Sequence, residues 1–278
     1  MKLSISILTL RRDALFERCM RSVERSIAAA DADALEYELV VVEGVTPVGA
    51  ARNEALRRMK GDWIATVDAD DEVEEPWFGE ICSAVREAEK PGSEIDDIVF
   101  DMTVVRGGRE IAHRYGRSGT VGAQVVVADI LRDMRLGGHL VRHVSRRSLW
   151  AAIRFADVRV AEDALVLPQV LAKARRVLPV ACPVYRYIER TSSLCATTTS
   201  IAFFEQAVVR TMRFGGPAAV GACVAAYNCL YDRADRNGAA RSWIRRNLIA
   251  ALGDREVSGK WKLKFLLAAL GIVIRRSK

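Results

Sequence analysis

The chain has 278 residues, half of them apolar, and a formal net charge of +7; it is long and apolar enough for a proper core, which excludes a disordered or small disulfide-stapled class. Acidic residues gather between Asp62 and Asp101 and basic ones in the last forty positions, so the charge points to local attraction for phosphates or an anionic membrane, and no nucleic-acid partner is expected. Six scattered cysteines without a CxxC pair argue for reduced thiols in a cytoplasmic protein and against a zinc site.

The run LSISILTL (3–10) alternates like a strand, and the apolar stretch is too short for a targeting peptide. Leu15, Cys19, Val23 and Ile27 then recur every four residues, as on a helix. LEYELVVVEG predicts a parallel strand covered on both faces. In TPVGAARNEALRRMKG, Thr46 is placed to cap a helix, Pro47 to open it and Gly61 to close it. DWIATVD is a third strand. This β-α-β-α-β rhythm implies a mostly parallel α/β sheet, with ligands beyond the carboxyl ends of its strands.

Further along, PWFGEICSAVREAEK reads as a helix, and IDDIVFDMTVV as a strand that Gly107 and Gly108 turn into a hairpin, making the sheet mixed. AEDALVLPQVLAKARR reads as a helix that Pro168 kinks or delays, and RVLPVACPVYRYI as an extended segment. From residue 200 the pattern is helical. The expected division is therefore an α/β domain over 1–199 and a helical extension over 200–278.

WIATVDADDEV ends in three aspartates within four positions, which is costly unless a cation or water takes up the charge. Mg²⁺ and Mn²⁺ take oxygen ligands, and Mg²⁺ is commonly held by one or two carboxylates completed by water and substrate phosphates. An EF-hand is excluded, because Val73 stands where that loop needs glycine and Gly79 where it needs glutamate. A solvated acidic turn remains the alternative.

The ordered set ISILTL, VVVEG, GAARNEAL and KGDWIATVDADDEV, followed by GGHLVRHVSRRSLW, VAEDALVL and YRYIERTSS, resembles the family 2 glycosyltransferases of the GT-A fold, of the bacterial surface-polysaccharide type. That resemblance implies an inverting, metal-dependent transferase that moves a sugar from a nucleotide diphosphate donor, expected to be a UDP-sugar, to a saccharide or lipid-linked acceptor. Carried over residue by residue, it places Asp70 on the metal, with Asp68 on the metal or ribose, and Asp71 in support of the turn. Glu162 and Asp163 of the ED pair fall at the catalytic position, Asp163 as general base. Thr9 and Leu10 fall beside the donor base, Asp13 where the family often has an acid, Glu43 at uracil or ribose, and Arg52 and Asn53 at the diphosphate end of their helix. His143, Arg190 and Ser193 complete the expected substrate contacts.

Three departures stand against the pattern: TLRR replaces a common P-V-Y-N, Glu43 replaces aspartate, and the segment between VVVEG and GAARN is shortened. They keep open a non-catalytic nucleotide-sugar-binding or scaffolding protein on the same fold. A nucleotidyltransferase ranks lower, since TLRRDAL has arginines without phosphate-loop glycines, and a glycosidase needs a second carboxylate that sequence alone does not place. In the tail, KWKLKFLLAALGIVIRRSK, the apolar centre is too short to span a bilayer. Residues 260–278 instead suggest a peripheral contact with the inner face of the membrane, through Trp261 and Phe265 on a basic amphipathic helix.

Overall fold

The computed structural model describes residues 1–31, 34–134, 136–158, 161–191 and 198–274. These divide into two compact units, 1–127 with 138–190, and 128–137 with 191–278.

The first unit is built on a nine-stranded sheet of order β2-β1-β3-β8-β5-β9-β4, with β6 beside β5 and β7 beside β9. Its strands are β1 (Lys2–Thr9), β2 (Glu36–Glu43), β3 (Trp63–Asp68), β4 (Glu72–Val73), β5 (Ile95–Arg106), β6 (Arg109–His113), β7 (Val121–Gly122), β8 (His143–Arg146) and β9 (Arg176–Glu189). β1 runs parallel to both β2 and β3. Thr9 lies opposite Glu43 and Leu8 opposite Asp68, so the residues expected at the donor share one end of the sheet. β8 enters antiparallel between β3 and β5, which makes the sheet mixed. Gly107 and Gly108, with φ of 55° and 76°, turn the expected hairpin into β6, the left-handed pair a two-residue loop requires.

β2 is an edge strand: Val40 and Val42 are buried on one face, while Leu39 and Val41 on the other pack against the core with partial exposure, so the expected cover on both faces is present but incomplete.

Five helices follow the strands: α1 (Ala14–Ala28), α2 (Val48–Arg58), α3 (Trp77–Ala88), α4 (Ala123–Arg132) and α5 (Glu162–Leu171). α1 and α3 cover one face. There Phe16, Cys19 and Val23 meet Ile5, Ile7, Trp63 and Val67 from the strands and Phe78 and Ile81 from α3, each large side chain adding about 1.5–3 kcal/mol on burial. α2 begins one residue later than expected: Pro47 stands at the N-cap, and Met59 rather than Gly61 closes the helix. Pro168 lies inside α5, which continues to Leu171, so it neither delays nor ends the helix. A Cβ on Gly138 would fall 2.5 Å from the Ala164 Cα, so only glycine lets that loop approach the first turn of α5 this closely.

The second unit is helical, with α6 (Ser200–Phe214), α7 (Gly216–Tyr231), α8 (Ala239–Gly253) and α9 (Gly259–Ala269). Its core joins Phe204, Cys223, Tyr227, Ile244, Phe265 and Ala268. Among the described residues no helix is long and apolar enough to cross a membrane.

Candidate active site

The aspartate turn follows β3 directly, and its first member already has a partner. Arg52, on α2 and 6% exposed, donates from Nη2 to Asp68 Oδ1 at 3.3 Å and from Nε to Glu162 Oε1 at 3.0 Å. Burial alone pulls the arginine's pKa down, but Asp68, Glu162 and Asp163 together carry it above its ordinary value. Its Nη1 is buried without a hydrogen-bond partner among the described residues. In place of a helix cation turned toward a diphosphate, Arg52 is thus a buried counter-ion joining the aspartate turn to the ED pair, two segments far apart in sequence.

Glu162 and Asp163 open α5, where the helix dipole favours negative charge. Burial pushes the Glu162 carboxyl up, the Asp163 charge adds to this, and Arg52 opposes both. Asp163 is likewise raised by burial and held back by Arg52, by the N–H of Ala164, which donates to its Oδ1 at 2.7 Å, and by a backbone hydrogen bond from Leu140, while Asp68 raises it. A carboxylate raised by its surroundings is a stronger proton acceptor, once ionised, than one in water.

The other two aspartates are fixed by β9. Because β4 pairs back onto β9, the Tyr185 hydroxyl donates to Asp71 Oδ2 at 2.8 Å and accepts the Asp68 N–H at 3.1 Å. The Ile188 N–H donates to Asp71 Oδ1 at 2.8 Å. Burial, with the Asp68 charge, pushes Asp71 up to about 8 against these bonds; both its oxygens are taken, so it braces the turn. Arg190 donates from Nη1 to the Asp70 carbonyl at 2.7 Å and from Nη2 to the Asp70 carboxylate.

The donor set allows a test of the expected metal. Among the described residues no three His, Cys, Asp or Glu side chains form a self-contained metal cage. Asp68 and Asp70, with side chains 28% and 44% exposed, instead offer two carboxylates, which fits Mg²⁺ or Mn²⁺ completed by water and substrate phosphates. Arg190 occupies one Asp70 oxygen in this arrangement.

The remaining expected residues divide. Thr9 ends β1 and its hydroxyl donates to the Arg11 carbonyl at 2.6 Å; Leu10 is exposed beside it. Glu43 ends β2 and pairs with Arg12 at 3.1 Å, leaving both at the mouth. Asp13 caps α1 by accepting the Leu15 and Phe16 N–H groups on Oδ1, and the Phe16 bond leads in lowering its pKa. Asn53 spends its amide on the Phe155 backbone, donating to its carbonyl at 3.0 Å and accepting its N–H at 2.9 Å. His143, expected beside the sugar, is a buried residue of β8 with Nδ1 at 2.8 Å from Asp97 Oδ2, while Ser145 donates to Asp97 Oδ1. It joins β8 to β5, and a ring enclosed by the sheet does not reach a substrate. Ser193 lies outside the described residues.

Two contributors were missed from sequence. Tyr185 positions the aspartate turn, and the only trace of it is the alternation in YRY. Phe155 places its ring 5.8 Å from the Arg52 guanidinium, and nothing in its neighbourhood marks it.

Comparison with known proteins bears on this geometry. The glycosyl transferase family 2 model matches residues 26–99, which include Arg52 and the aspartate turn. No curated protein sequence matches the chain. Among solved structures, S. aureus TarS 1–349 in complex with UDP-GlcNAc superposes with a TM-score of 0.65 at 16% identity, over 98% of this chain and 88% of that one. The same TarS 1–349 in complex with UDP gives 0.57 at 16% identity over the same shares. S. aureus TarS gives 0.62 at 15% identity, over 97% of this chain but 53% of that one, so the chain spans about half of it. The protein therefore has the GT-A fold and carries, across residues 26–99, the sequence pattern of the family 2 glycosyl transferases.

Proposed function

We propose that this protein is an inverting glycosyltransferase that moves a sugar from a nucleotide diphosphate donor to the hydroxyl of a saccharide or lipid-linked acceptor. The observation that carries the reading is the buried guanidinium of Arg52, bound to Asp68 on one side and Glu162 on the other, at the end of the sheet where open α/β folds bind ligands. Asp163 takes the acceptor proton as the acceptor oxygen bonds to the sugar's anomeric carbon. The bond from that carbon to the diphosphate breaks, and its electron pair leaves with the phosphate oxygen. Asp70 and Asp68 would hold Mg²⁺ or Mn²⁺, which when bound supplies positive charge for the leaving diphosphate. Arg190, released from Asp70, offers the same diphosphate a planar pair of donors.

A UDP-sugar is the favoured donor, supported by the UDP and UDP-GlcNAc complexes of TarS. A cytoplasmic site suits the five described cysteines, all free thiols. One observation favours the second reading, a non-catalytic nucleotide-sugar-binding or scaffolding protein: only Gly44 to Pro47 separate β2 from α2, leaving little chain to enclose a nucleotide. A panel of nucleotide sugars, assayed with Mn²⁺ for thermal stabilisation and for release of the free nucleotide, separates the two. Metal-dependent stabilisation with nucleotide release is expected; stabilisation without release under any acceptor supports the scaffold, and neither response overturns both.

A further inference from the structure

The C-terminal helix does not present the face its aromatic residues suggest. Phe265 is fully buried, and Trp261 packs edge-on against Tyr227 with ring centroids 5.7 Å apart. The Lys264 ammonium sits 4.1 Å from the Trp261 ring centroid and 4.9 Å from that of Tyr227, so it belongs to the same inward cluster. This corrects the expectation that Trp261 and Phe265 enter a membrane interface: positions 261, 265, 268 and 269 form the stripe that packs on the helical core.

The opposite stripe is apolar too. Leu263, Leu266 and Leu270, spaced as one helical face, are 52%, 42% and 70% exposed. Beyond α9 the chain leaves the helix through a turn at Gly271, with Val273 packed against the core and its neighbours Ile272 and Ile274 exposed. The Tyr227 hydroxyl donates to the Ile274 carbonyl at 3.0 Å, so the segment is fastened down and adds two exposed isoleucines just past the leucine stripe in sequence. Isolated exposed apolar residues need no explanation, whereas a continuous row does.

Charge selects the occupant. From Val257 to Lys278 the sequence holds six Lys or Arg and no Asp or Glu, and Lys260 and Lys262 flank the leucines. Two copies of such a face repel each other, while an anionic lipid surface accepts both the leucines and the cations. We infer that the Leu263, Leu266 and Leu270 face of α9, extended by Ile272 and Ile274, seats this protein on the surface of an anionic bilayer. The helix lies in the interface plane, its eleven residues being too few to span. This seat is independent of the transfer reaction.

Sedimentation of the full chain with phosphatidylglycerol-containing vesicles, against phosphatidylcholine vesicles alone, is the test. Binding to the anionic vesicles, weakening as salt rises, is expected. Leu270→Glu, at an exposed position that leaves the core intact, and the pair Leu263→Glu with Leu266→Glu should each lower binding at least about tenfold with an unchanged thermal melt. Lys260→Glu and Lys262→Glu should each cost about five-fold or more, as one basic residue near such a surface does, without touching the apolar row. Three results would overturn the inference: no binding to anionic vesicles, equal binding to both vesicle types, or concentration-dependent self-association that Leu270→Glu abolishes while vesicle binding is absent.

Discussion

The two ends of the parallel strands carry charge in opposite ways. At the amino end, Glu38 accepts hydrogen bonds from the Ser4 hydroxyl and the Lys60 N–H at 2.6 Å each, with Gly61 N–H at 3.2 Å and Lys2 at 3.0 Å. Burial pushes its carboxyl up, yet these donors outweigh burial and hold it down at about 2. At the carboxyl end, Asp71, Glu162 and Asp163 are all pushed up, and one cation, Arg52, serves carboxylates on two segments while one of its own nitrogens goes unmatched among the described residues. Where charge is saturated it locks the sheet; where it is short of partners it is available to a ligand. The same residue type is therefore held ionised at one end and pushed toward its protonated form at the other.

Substitutions can break that contrast, and the largest effect is expected at the base. Asp163→Asn should lower the turnover rate by about 10²–10⁴-fold, the range of general-base contributions, with nucleotide affinity by calorimetry unchanged; near-normal turnover would remove Asp163 from the proposed role. Arg52→Met should cost about 3–5 kcal/mol in denaturant unfolding, because it strands two carboxylates that were paired. In Arg52→Lys, which cannot serve both carboxylates, Asp163 loses a partner that holds its pKa down, so the ascending limb of the rate against pH should move to higher pH. A merely structural arginine would lower activity without moving that limb.

Glu38→Gln should have the smallest effect, about 2 kcal/mol at pH 7, the scale of hydrogen bonds to a charged group. Since the folded carboxyl lies below its ordinary 4.5, its stabilisation is complete above that value and fades as pH falls toward about 2. The variant and the parent should converge over that window, and the variant's specific activity should match the parent's at neutral pH. A loss of turnover there would erase the distinction between the two ends.

What the sequence disclosed follows the same division. The three parallel strands, the hairpin at Gly107 and Gly108 and the aspartate turn were legible because alternation, β-branching and turn glycines act over a few residues. α4 escaped although Gly116, Ser118, Gly119 and Gly122 mark a break before it, because its run of three valines suits a strand as readily as a helix. The roles of Arg52 and His143 were misread for a common reason: a motif names the residue but not its depth, and both side chains are spent on carboxylates, Glu162 and Asp97, that no local pattern pairs with them. Trp261 and Phe265 were read as an outward face because an amphipathic helix with two apolar stripes gives no sign of which one meets the core.

The tyrosine that braces the aspartate turn has a consequence for how the site comes into being. Asp71 meets Tyr185 across 114 residues of chain, Arg52 meets Glu162 across 110, and Asp70 meets Arg190 across 120. Contacts of such sequence separation form late, after local pairings have paid little toward closing the loops between them. β1, β2 and β3 can assemble early, but the turn at the end of β3 takes its final shape only when β9 arrives. A fragment ending before Tyr185 would retain every aspartate of the turn and lose their arrangement, so during synthesis the chain carries these carboxylates long before anything holds them in place.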